Sequence, residues 1–74
     1  MTLGQFIKIT RAQRGMTQEE LAKKLFVSPR SVQSWEQQWR IPRLPTLSKL
    51  ARTLQVPPNR LLQFVTLSDH KRVG

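Results

Sequence analysis

Five short helices and no strand are what this sequence predicts, packed as one compact all-α domain. Three observations carry the expectation. Apolar residues recur at spacings of three and four along most of the chain, Ser, Thr and Pro stand where helices start, and no segment alternates apolar with polar residues as a half-buried strand would. Seventy-four residues, 38% of them hydrophobic, suffice for one core and leave no apolar surface for a second.

Leu3, Phe6, Ile7 and Thr10 share one face of a first helix over about residues 2–14, and Gly15 follows it as a residue suited to a left-handed cap. Thr17-Gln18-Glu19-Glu20 then reads as a capping box. The Thr17 hydroxyl accepts the Glu20 amide proton while the Glu20 carboxylate reaches back to the Thr17 amide, and Met16 with Leu21 is placed to staple the cap. The second helix turns Leu21, Ala22 and Leu25 inward and stops near Phe26-Val27. Ser28-Pro29 starts a third, because Ser is a favoured N-cap and Pro loses nothing at the first helical position.

In that third helix, expected over about residues 29–38, Val32 and Trp35 face inward. Pro29, Arg30, Gln33, Ser34 and Gln37 form an outward face without an acid. Arg40 to Leu44, with prolines at 42 and 45, is read as an extended loop, since residues before proline avoid the helical region. Leu47, Leu50, Ala51 and Leu54 define a fourth helix, and Pro58 opens a fifth that carries Leu61, Leu62 and Phe64 or Val65 inward. The domain is bounded at residues 1–66, with 67–74 a flexible basic tail. Trp39 is read as packing under the fourth helix, with the sugar-phosphate backbone of DNA as the second reading.

Thirteen Lys and Arg against four Asp and Glu give a formal charge of +9, which implies a polyanionic partner. Charge alone does not choose between nucleic acid and anionic lipid. The chain has no cysteine, one histidine and few carboxylates, so no catalytic centre, metal site or cofactor is expected. The absence of a secretion signal or a membrane-spanning stretch leads to an expectation of a cytoplasmic protein.

Two short helices joined by a three-to-four-residue turn, the second with a polar, acid-free outer face, match the geometry of a major-groove reader. The series Arg11-Ala-Gln-Arg-Gly15-Met-Thr-Gln18-Glu-Glu-Leu21-Ala22-Lys-Lys-Leu25, Val27-Ser28, Ser34-Trp35-Glu36, Pro42, Leu50-Ala51, Val56 and Leu61-Leu62 resembles the Cro/C1-type (XRE) helix-turn-helix family. The likeness runs over roughly residues 3–64. It implies a lambda-repressor-like domain whose second and third helices form the helix-turn-helix, acting as a transcriptional regulator, a repressor above all, on double-stranded DNA as a homodimer.

Carried over by position, the resemblance puts Pro29, Arg30, Gln33 and Ser34 at base edges and Thr17, Gln18, Gln37, Arg40 and Arg43 at phosphates. Arg pairs bidentately with guanine and Gln with adenine, which suits those positions. Arg11 and Glu36 fall where the family has a structural ion pair between the first and third helices. The sequence also departs from the family. Phe26 stands where the turn usually has Gly, so either the turn differs or a bulky residue accepts positive φ at a cost of about 1–2 kcal/mol. Gln37-Gln38-Trp39 replaces the usual Gly and basic residue after Glu36, which suggests a longer third helix. Lys8, Arg14, Lys23, Lys24, Lys49, Arg52 and Arg60 are read mainly as solvated contributors to the field. Two rival functions stand beside DNA reading. One is an antitoxin-like or bridging module of the same fold that grips a protein partner through Leu62, Phe64 and Val65; the other is a basic binder of membrane surfaces.

Overall fold

The computed structural model describes residues 1–64, so the predicted tail at 67–74, the domain edge at 66 and Val65 lie outside the described residues. Four helices, α1 (Leu3–Gln13), α2 (Gln18–Leu25), α3 (Pro29–Glu36) and α4 (Leu44–Leu54), are followed by helical residues 58–64, here α5. No strand occurs among the described residues. The all-α expectation holds.

Local chemistry explains each start. Thr17 and Glu20 close the predicted capping box at α2, with the Thr17 amide 2.8 Å from Glu20 Oε1 and the Glu20 amide 3.0 Å from Thr17 Oγ1. The Thr17 amide foremost, and the Thr17 hydroxyl after it, hold the Glu20 carboxyl below the usual carboxylate range. A second capping box, Thr2 with Gln5, starts α1. Ser28 accepts the Ser31 amide and Pro29 takes the first position of α3. In contrast, α4 begins at Leu44, inside the predicted loop, with Arg43 as an N-cap that makes no side-chain bond. The bias of a residue before proline is overridden there, because Leu44 and Pro45 occupy the first turn, where helical hydrogen bonding requires no amide donor.

All four of these helices end in one way. The residue after the cap region turns left-handed, at Gly15 (φ 70°), Phe26 (φ 58°), Gln38 (φ 66°) and Gln55 (φ 60°). The next amide then reaches back across the turn: Met16 to the Arg11 carbonyl, Val27 to Ala22, Trp39 to Ser34 and Val56 to Ala51, all within 3.1 Å. This is the Schellman closure, which satisfies carbonyls a helix end leaves open. Only α1 ends with glycine. The third helix therefore stops at Glu36 rather than running to 38, since Gln38 adopts the left-handed conformation.

Phe26 accepts the same cost. Its side chain is 89% exposed, so the phenyl ring recovers nothing from burial. Phe26→Gly is expected to stabilise the domain by about 1 kcal/mol, the left-handed penalty less the greater chain entropy of glycine, and to raise Tm by about 4–8 °C in a melt followed by circular dichroism. A lower Tm would show that the turn does not bear this strain.

Ile7, Leu21, Val32, Leu47, Leu50, Leu54 and Leu61 are fully buried, and Ala22, Leu25, Trp35 and Ala51 complete the core. The predicted inward residues of the first four helices are borne out. In α5, Leu61 is buried but Leu62 is exposed, so the expectation that Leu62 points inward is corrected. Phe64 is half-buried, its ring 5.8 Å from that of Phe6. Helix α1 approaches the end of α3 so closely that a Cβ on Gly4 would lie 2.6 Å from the Trp35 carbonyl oxygen and 2.7 Å from that of Glu36. Gly4 is thus the residue that lets these two backbones meet.

Two cations read as solvated have structural partners. Arg14 donates from Nε to the Leu54 carbonyl at 2.8 Å and from Nη2 to that of Gln55 at 3.3 Å, tying α1 to the negative end of α4. The Arg60 guanidinium lies 5.6 Å from the centre of the Phe6 ring. No helix among the described residues is long and apolar enough to cross a membrane.

Candidate nucleic-acid interface

Phe26, Val27 and Ser28 make the turn between α2 and α3, and the Val32 and Trp35 side of α3 is buried. That anchoring leaves the opposite side free. Pro29, Arg30, Gln33 and Gln37 are exposed and Ser34 is half-buried, so the predicted reading face is outward and contiguous. A helix of this length is about 12 Å long and about as wide as a major groove, so the ridge is of the right size to enter one.

The groove beside the ridge extends the same surface. Ser28, Arg30, Ser31, Ser34, Trp35 and Arg40 line a hollow of about 240 Å³. A neighbouring hollow of about 410 Å³ is lined by Trp35, Arg40, Ile41, Pro42, Arg43 and Thr46, so Arg40 borders both. Arg40 and Arg43 are exposed, as the phosphate-contact expectation requires. Between Leu21 and Phe64 the sole carboxylate is Glu36, whose side chain is 3% exposed and bonded to Arg11. The surface from α3 into α4 therefore presents cations without an exposed anion to offset them.

Arg11 and Glu36 form the predicted pair. Arg11 Nε donates to Glu36 Oε2 at 2.7 Å and Nη2 to Oε1 at 3.2 Å, while Nη1 donates to the Met16 carbonyl at 2.7 Å. One guanidinium thus joins α1, the approach to α2 and the end of α3. Gln18 belongs to the same cluster: its Nε2 donates to Glu36 Oε1 at 2.9 Å. A primary amide has a second N–H, so this bond fixes the Gln18 side chain while leaving it a donor for an outside anion. The Thr17 hydroxyl serves as the helix cap and is exposed.

Trp39 is 66% exposed, which corrects the expectation that it packs under α4. Its place after Gln38 fixes its backbone against Ser34, whose short polar side chain offers the indole no apolar seat. Of the rival protein-binding surface, Leu62 is exposed and Phe64 half-buried.

A small helical domain with two short helices joined by a tight turn in this geometry is a helix-turn-helix domain. A model of the helix-turn-helix family matches residues 7–61, and the chain belongs to that family, in its Cro/C1 (XRE) type. Among solved structures, SinR, the master regulator for biofilm formation, in complex with DNA, is 32% identical, with 82% of this chain and 98% of that chain covered and a TM-score of 0.76. The P22 c2 repressor bound to a synthetic operator is 28% identical over 86% of this chain and 97% of that one, with a TM-score of 0.81. PlcR of Bacillus thuringiensis, in complex with the peptide PapR7 and DNA, is 30% identical with a TM-score of 0.79; the likeness covers 96% of this chain and 25% of PlcR. A comparison with curated protein sequences gave no match. The fold and family are those of DNA-binding regulators rather than of enzymes.

Proposed function

We propose that this protein is a sequence-specific regulator of transcription, acting as a repressor, that inserts α3 into the major groove of duplex DNA. The observation that carries the reading is the exposed, acid-free face of α3, held rigid from behind by Val32 and Trp35. Arg30, Gln33, Ser34 and Pro29 meet base edges there. Thr17, Gln18, Gln37, Arg40 and Arg43 hold the flanking phosphates, which set register and carry little sequence information. The relatives bound to DNA support the same reading. A homodimer places two copies of α3 on half-sites about 34 Å apart, one turn of the duplex.

Counterion release makes this testable. If Arg40 and Arg43 of two protomers neutralise four phosphates, the log-log slope of affinity against salt is about −3.6, and affinity falls roughly a hundredfold between about 50 and 200 mM salt. Anisotropy titration of labelled duplex over a salt series measures it. A flat response, or binding to anionic vesicles with no uptake of duplex, overturns the proposal.

A further inference from the structure

The four helix ends supply an internal comparison that singles out Trp39. Met16, Val27, Trp39 and Val56 occupy the same place in four equivalent Schellman closures, each donating its amide back across the turn. In three of them the side chain does the expected work: Met16, Val27 and Val56 are half-buried and pack against the core. Trp39 has the largest side chain of the four, yet it is 66% exposed. Its neighbours Ile41 and Leu44 are 61% and 58% exposed. The chain thus holds three apolar side chains in water on one short segment whose backbone is pinned to the end of α3.

The residues between them indicate what covers them. Arg40 and Arg43 alternate with this apolar set, and no acid occurs from Gln37 to Phe64. A second copy of the same segment would bring like charges together and be repelled. A sugar-phosphate strand offers the complement, phosphates for the guanidiniums and apolar deoxyribose faces for an indole. The segment also adjoins the reading face, since Arg40 borders the hollow that contains Arg30 and Ser34. We infer that Trp39, with Ile41 beside it, lies against the deoxyribose backbone of duplex DNA next to the groove that α3 enters, clamping the strand that Arg40 and Arg43 hold. This rests on the reading of α3 as the groove-binding helix and adds to it an apolar, sequence-independent contact.

The test uses the full chain and labelled random-sequence duplex. Trp35 is 7% exposed, so acrylamide quenching in the free protein reports chiefly on Trp39. Adding duplex is expected to shield it. Trp39→Ala should bind about tenfold more weakly with an unchanged salt slope and unchanged Tm, because an apolar contact is lost and no ion is released. Trp39→Phe should restore most of the affinity, and Arg40→Ala should instead flatten the slope by about one unit per protomer. Wild-type binding with undiminished quenching, or full affinity in Trp39→Ala, overturns the clamp and leaves the α3 reading intact. Failure of the wild type to bind any duplex overturns both. Shielding that grows with protein concentration in the absence of DNA overturns the clamp in favour of self-association.

Discussion

Arg11→Ala is expected to unfold the domain, with a loss of about 3–5 kcal/mol, as large as the whole stability a core of this size supplies. The Glu36 side chain is 3% exposed and accepts three hydrogen bonds, two from Arg11 and one from Gln18. Without Arg11, a nearly buried carboxylate keeps a single neutral donor, and the Met16 carbonyl loses the bond at 2.7 Å that ties α1 to the approach of α2. Glu36→Ala acts in the same direction but less severely, because the guanidinium keeps the Met16 carbonyl and, at 13% exposure, some access to water. Replacing both partners, as Arg11→Met with Glu36→Leu, removes the uncompensated charge and is expected to recover most of the loss. Urea unfolding followed by circular dichroism measures all three. If Arg11→Ala stays within about 1 kcal/mol of wild type, the pair does not hold the helices together.

The sequence announced features fixed by neighbours in the chain; of those fixed across space it offered the Arg11 and Glu36 pair alone, and that through the family resemblance. Thr17 and Glu20, or Ser28 and Pro29, sit within one turn of each other, so their chemistry shows in the spacing itself. The inward face of α3 was legible for the same reason. Arg14 looks like any surface cation until Leu54, forty positions on, ends its helix beside it. Gly4 reads as an ordinary weak helix residue, yet its meaning lies in two carbonyls at the far end of α3. The Thr2 and Gln5 capping box carried a local signal that reading from apolar spacing passed over. Phe26 was legible as a conflict, and the fold resolves it by accepting positive φ, because the closure at the end of α2 requires that conformation. For the candidate site, residue types and exposure were both foreseeable. The Gln18 bond to Glu36 was not, since it depends on how α2 crosses α3.

Arg30→Ala and Gln33→Ala together should lose about 2–6 kcal/mol of binding at each half-site of a preferred sequence recovered from a random duplex pool, each bidentate base contact being worth about 1–3 kcal/mol. On random duplex the pair should lose far less, because Gln33 is neutral and Arg30 is one cation among many on this surface. The contrast with the phosphate residues is the decisive part. Arg43→Ala is expected to weaken every duplex by a similar factor and to flatten the salt response, whereas Gln33→Ala should leave the salt response alone and relax the preference at one base pair. The substitutions on α3 are interpretable because Arg30 and Gln33 are exposed and take no part in the core, so their loss should leave the stability within about 0.5 kcal/mol of wild type. Equal losses on the preferred site and on random duplex would mean that the α3 ridge attracts DNA without reading it, and base recognition would then have to lie elsewhere on the molecule.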